Sequence, residues 1–213
     1  MIEGGWKQMF HLLNQKNAFS LFSLFFGTVG IGFALIAQSH YVLISLMIAS
    51  VAFVLSQWFI QDETSTNPVF DQQILALSYV VVYGVLPVVL LNSISYGSII
   101  AVIVGAIFLL AVVLRIAYYG VESPIISSQS STGLPLEAIA ILIPLICLLA
   151  YIIPSTVFYV ILCVVMAILA VGFVLEIKIP MIPREWLLYV LGYMVLMVIA
   201  YIFLGSFTPV IAA

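Results

Sequence analysis

Seven apolar runs, each long enough to cross a bilayer, leave this chain of 213 residues little choice of fold. They lie near 18–37, 41–60, 73–92, 97–119, 135–153, 155–175 and 186–207, and a helix needs about 20 such residues to span the hydrocarbon core. Inside lipid each backbone N–H and C=O must find a partner within its own segment, so runs of this kind become helices. Composition agrees, because 66% of the residues are hydrophobic and 6% are charged, which is outside the range of soluble domains. The expected class is all-α, a polytopic membrane helical bundle. The first run lacks a small-residue cleavage site and is followed within a few residues by another span, so it is expected to be retained rather than removed as a signal peptide.

The few charges carry the topology. Lys and Arg are retained on the cytoplasmic side. Lys7 and Lys16 precede the first run, Arg115 closes the fourth, and Lys178 and Arg184 lie between the sixth and seventh. With the N-terminus inside, threading seven spans brings all of them to the inner side and leaves the C-terminus outside. A net charge of −3 with no basic face excludes nucleic acid as a partner.

Residues 3–16, "EGGWKQMFHLLNQK", place Trp6, Met9, Phe10 and Leu13 at helical spacing, which predicts an amphipathic helix lying in the inner interface; the plainer alternative is a polar lead-in to the first span. Two connections on the inner side are long. In residues 61–71, "QDETSTNPVFD", the Asn67-Pro68 pair predicts a turn and an extended segment. Residues 120–135 are rich in Ser and end at Pro135, which is suited to the first helical position and would make Glu137 the third. Cys147 and Cys163 fall in separate spans and read as packing residues. His11 and His40 are expected on opposite sides of the membrane and cannot form a metal pair, and there is no Gly-rich phosphate loop, Ser-His-Asp set or Cys-x-x-Cys.

The order of several short motifs resembles the CDP-alcohol phosphatidyltransferase family, in its branch of bacterial and archaeal phosphatidylserine synthases. Tyr83-Gly84-Val85-Leu86-Pro87 is similar to that branch's Phe-Gly-Val-Ala-Pro. The "LRIAYYG" from Leu114 is similar to its Leu-Arg-Leu-Ala-Arg segment, and Gly133-Leu134-Pro135 to the Gly-Leu-Pro that opens its fifth span. "VLEIKIPMIP" from Val174 stands at the exit of the sixth span, and Gly27 matches a glycine of the first. The resemblance runs from about residue 20 to 183. It implies a six-helix CDP-alcohol phosphatidyltransferase-like core over 18–183, preceded by the interfacial segment 1–17 and followed by an additional span within 184–213. It also implies a prokaryotic inner membrane, with pairing through the third and fourth spans.

The family's chemistry resides in D-x-x-D-G-x-x-A-R-x8-G-x-x-x-D-x-x-x-D, whose carboxylates hold two Mg or Mn ions that clamp a diphosphate, while the last Asp activates the incoming hydroxyl. Counted back from Gly84, the four Asp positions here are Val54, Gln57, Leu75 and Tyr79. The glycines are Trp58 and Asp71, and the Ala-Arg pair is Gln61-Asp62. Catalytic and metal residues of the family type are therefore absent, and no cofactor is expected. The expected function is that of a catalytically degenerate member serving as a lipid-binding, scaffolding or regulatory subunit, as a homo-oligomer or with an active homologue or larger complex. The alternatives are an active transferase with an unusual site and an unrelated helical subunit.

Candidate site residues follow from the same counting. Arg115 matches a family arginine near the cytidine diphosphate cleft, and is either a phosphate contact or a cation snorkelling at the boundary. Glu137 is either an acid favoured by a helix N-terminus or a ligand contact, and Gly133 stands beside it. Asp62, Glu63 and Asp71 are either a replacement metal site or ordinary solvated acids. Gln57 and Tyr79 are placed to hydrogen-bond across the old site.

Overall fold

A computed structural model describes residues 15–59, 67–122, 130–132, 134–175, 178–180 and 184–205. The elements run α1 (Gln15–Leu35), α2 (Ser39–Phe59), α3 (Pro68–Tyr79), a π-helical segment (Val80–Val85), α4 (Leu86–Ile94), α5 (Ile99–Glu122), β1 (Ser130–Thr132), α6 (Ala138–Cys147) with a 3₁₀ extension (Leu148–Tyr151), α7 (Ser155–Val174), β2 (Lys178–Pro180) and α8 (Arg184–Leu204). The protein is a helical membrane bundle. Five helical stretches among the described residues are long and apolar enough to cross a bilayer: Asn17–Leu35, Ser39–Ser56, Pro68–Ile94, Ile99–Tyr118 and Ser155–Val174. Ala138–Tyr151 and Leu188–Leu204 are shorter apolar helices, standing where the fifth and seventh spans are predicted. The expected interfacial helix lies outside the described residues, apart from Gln15 to Asn17, which already belong to α1.

α2 is the central helix. Of its apolar window 72% is buried, against 28% for α1, and its small residues Ser45, Ala49, Ser50, Ala52 and Ser56 all face protein. Small side chains let helix backbones approach closely where no hydrophobic effect separates protein from lipid. α1 packs along α2, α5 along α7, and α8 against the side of α2. The seventh predicted span is therefore a packed member of the bundle, with Met194 and Tyr201 fully buried.

The turn between α1 and α2 shows how tight one end of the bundle is. Ala37 adopts φ 57°, its N–H bonds the Ala34 carbonyl at 3.0 Å, and the N–H of Gln38 bonds the Phe33 carbonyl at 3.0 Å. This is the Schellman pattern, in which the left-handed position is normally glycine. Substituting Ala37→Gly removes the Cβ conflict at the cost of a more flexible unfolded chain, and is expected to raise stability by about 0.5–1 kcal/mol in a detergent thermal melt.

Three sequence expectations are corrected at the other end, where the long connections lie. The extended segment expected after Asn67-Pro68 is helix: Asn67 is the N-cap, its side chain accepts from the Phe70 N–H at 3.3 Å, and Pro68 takes an initial position that needs no N–H donor. Asp71 is consequently a buried residue of the first turns of α3 and not a loop acid. In the fifth span, Glu137 is the N-cap rather than the third helical position, because Pro135 to Glu137 form a turn whose carbonyls accept from Ala138, Ile139 and Ala140. An unexpected ribbon joins the two later connections: β1 and β2 pair antiparallel, Ser131 opposite Ile179.

The Gly-Val-Leu-Pro step falls in and just after the π segment. Pro87 has no N–H to offer the Tyr83 carbonyl and its ring crowds it. The preceding turn is widened, with the Leu86 N–H reaching back five residues to Val81. Gly84 then gives α5 room, since a Cβ there would stand 2.7 Å from Leu109 Cδ1.

Candidate functional site

Several polar groups buried in the bundle, among them Asn17, Ser20, Asp71, Ser78 and Arg115, lie toward the long-connection end, where α1 and α3 begin and α2, α5 and α7 finish. Asn17 is fully buried, and its Nδ2 donates to Asp71 Oδ1 at 2.7 Å. The Asp71 carboxylate also stands near the start of α3, where the helix dipole favours negative charge. Ser78 Oγ donates to the Ser20 carbonyl at 3.1 Å and Ser23 Oγ to the Ala49 carbonyl at 2.8 Å. These bonds hold α1 against α2 and α3 below the apolar core. Removing the amide in Asn17→Ala deprives a buried carboxylate of a donor and is expected to cost about 1–3 kcal/mol, read as a lower unfolding temperature.

The positions to which the resemblance assigns carboxylates hold Val54, Gln57, Leu75 and Tyr79. Tyr79 donates its hydroxyl to Glu137 Oε1 at 3.0 Å. Its ring lies 4.6 Å from that of Phe53 and 5.4 Å from that of Tyr83, and Phe53 and Tyr83 are 5.5 Å apart, all centroid to centroid. Phe53 and Tyr83 are fully buried. An i, i+4 pair normally shares a helix face, and Tyr79 and Tyr83 stay stacked at the entrance to the π segment. The Tyr83 hydroxyl has no partner within hydrogen-bond geometry. Ser50 and Glu137 are polar groups near it, and Ser50 donates its own proton to the Leu46 carbonyl at 2.8 Å.

Val54 is buried beside Phe53, and Leu75 packs partly buried against the core. A Mg or Mn pair needs a cage of hard oxygen ligands. Val54 and Leu75 supply none, and the Tyr79 hydroxyl is engaged by Glu137, so the residues present do not fit the family's metals. Among the described residues no group of three or more His, Cys, Asp and Glu is assembled. Asp62 and Glu63 lie outside the described residues, and Asp71 is turned to Asn17.

Arg115 stands at the same end on α5 and is 4% exposed, with its guanidinium carbon 5.8 Å from the Tyr118 ring centroid. It is enclosed by protein rather than extended into water at the boundary, against the snorkelling alternative. Glu137 is joined to Tyr79, the position that the resemblance gives to the last Asp. The Gln57 side chain and Gly133 lie outside the described residues, so the bridge expected between Gln57 and Tyr79 is not described; Tyr79 turns to Glu137. Asn17 is the site residue that sequence reasoning missed, and its signal was an amide at the very start of an apolar run.

A second polar set lies between α6 and α8. Pro144 inside α6 cannot donate to the preceding turn. Tyr193 donates to the Ile141 carbonyl at 2.8 Å and Tyr201 to the Pro144 carbonyl at 2.6 Å. Tyr151 in turn donates to the Gly205 carbonyl at 2.7 Å. Hydroxyls from α8 thus bond backbone carbonyls of a helix that a proline deprives of one N–H donor. Set beside known proteins, the chain matches no family model and no curated protein.

Proposed function

We propose that this protein is a catalytically degenerate relative of the CDP-alcohol phosphatidyltransferases that acts as a lipid-binding or scaffolding subunit in a membrane. One observation carries the reading. Tyr79, at the position the resemblance gives to the last catalytic Asp, is hydrogen-bonded to Glu137 and packed against Phe53 and Tyr83. A phenol bonded to a carboxylate and packed among rings offers no cage of oxygen ligands for two metals, which supports a reading without transfer chemistry. Arg115 and Glu137 are the residues proposed to meet a lipid headgroup or a partner there. The cations support an orientation with the N-terminus in the cytoplasm and the long-connection end facing it. The membrane proposed is a prokaryotic inner membrane, and the proposed partners are a second copy, an active homologue or a larger complex.

The test is release of CMP by purified protein supplied with CDP-diacylglycerol, serine and Mg or Mn. The expected result is no release above the protein-free control. Metal-dependent release would overturn the reading in favour of an active transferase with an unusual site.

A further inference from the structure

The tight-turn end of the bundle holds a groove of about 580 Å³ between the α1–α2 turn and the end of α8, lined in part by Ile36, Gln38, His40, Ile44, Ile202 and Gly205. It lies at the opposite end from Tyr79 and Glu137 and stands independently of the function proposed above. Among the described residues no Asp, Glu, Lys or Arg lines it. His40 is its anomaly: the residue is 7% exposed, and its Nδ1 is enclosed with no hydrogen-bond partner. The ring is pinned by Tyr41, whose centroid is 3.8 Å away.

A neutral imidazole carries one N–H and one bare nitrogen, and the surroundings choose which. An enclosed bare lone pair costs less than an enclosed N–H without an acceptor. The proton therefore belongs on Nε2, and the His40 edge left for the groove is a hydrogen-bond donor. His40 is the second residue of α2, whose apolar window begins at Ser39, so this donor stands at the edge of the hydrocarbon layer. The groove asks for an occupant that is uncharged where it binds, largely apolar, and bears an acceptor at that depth. The acyl ester of a glycerolipid has this chemistry: a carbonyl oxygen at the hydrocarbon edge and a chain running into the bilayer.

We propose that the groove binds one acyl ester of a membrane glycerolipid, with the ester carbonyl accepting from His40 and the chain lying along Ile36, Ile44 and Ile202. The full chain is placed in nanodiscs containing a trace of phospholipid with a photoactivatable acyl chain, in matched ester-linked and ether-linked forms, and labelled peptides are read by mass spectrometry. Labelling of residues 36–44 and 201–205 is expected to be about five-fold greater for the ester than for the ether, the factor of one hydrogen bond. The lipid-exposed Ile103, Ile107 and Leu110 of α5 should label equally with both. His40→Leu should bring the ratio at the groove to one, and His40→Gln, which keeps an N–H donor, should retain a preference. Ile202 is 61% exposed, so Ile202→Trp can fill the groove without disturbing the core, and should lower labelling there by both lipids. A ratio of one in the unaltered protein, a ratio unmoved by His40→Leu, undiminished labelling in Ile202→Trp, or crosslinking of the groove to a second copy in place of lipid would overturn the proposal.

Discussion

Replacing Tyr201 by alanine is expected to destabilise the protein by about 3–5 kcal/mol, the range for deleting a large buried aromatic. Tyr201 is fully buried although it lies in the last helix, and its hydroxyl holds the Pro144 carbonyl at 2.6 Å. Two effects can be separated by a second variant. Tyr201→Phe keeps the ring and loses the hydroxyl, so it should cost only about 1 kcal/mol. Phe203, two residues on, is 85% exposed, and Phe203→Ala should change stability by about 0.5 kcal/mol or less. Thermal unfolding in one detergent orders the three. If α8 were an appendage facing lipid, Tyr201→Ala and Phe203→Ala would be alike.

The second large effect is expected at Phe53. This ring is fully buried and touches both Tyr79 and Tyr83, so Phe53→Ala opens a cavity where the resemblance places the metal site. The expected cost is again about 3–5 kcal/mol. Its signature differs from that of Tyr201→Ala, because the cavity borders the Tyr79 to Glu137 hydrogen bond. A double-mutant cycle of Phe53→Ala with Tyr79→Phe should show coupling of about 0.5 kcal/mol or more, as residues in contact do. The pair Tyr201→Phe with Tyr79→Phe, at opposite ends of the bundle, should be additive within about 0.5 kcal/mol.

Much of the scaffold was legible because a bilayer imposes a coarse rule. Runs of apolar residues had to become helices, and each predicted run contains one. Where helices begin was harder to read. Asn67-Pro68 reads as a turn and an extended segment, since Pro disfavours helix in the residue before it; that same geometry makes Asn67 a cap and Pro68 a first-turn residue. Pro135 misled in the opposite sense, because a turn intervenes before α6. The ribbon of Ser130–Thr132 with Lys178–Pro180 had no local signal, as pairing between segments nearly 50 residues apart leaves no period in either.

At the candidate site, counting from Gly84 gives Val54, Gln57, Leu75 and Tyr79 as the positions that the resemblance assigns to carboxylates, but counting is blind to what a side chain turns toward. The bond from Tyr79 to Glu137 joins residues of two separate spans, and Asn17 to Asp71 likewise. Long side chains choose such partners by tertiary packing, which spacing along one helix does not encode. The burial of Arg115 is of the same kind. A cation at the end of a span reads as a boundary marker until the helices that enclose it are known.

Tyr79, Glu137 and their aromatic neighbours are proposed to stand where the resemblance places a metal-dependent site. Titration of the purified chain with Mn²⁺, followed by electron paramagnetic resonance, decides between this arrangement and a working metal centre. No saturable Mn²⁺ site that depends on Glu137 is expected, so the spectra of the unaltered protein and Glu137→Gln should coincide. A saturable Mn²⁺ signal, one per chain, that disappears in Glu137→Gln would contradict it.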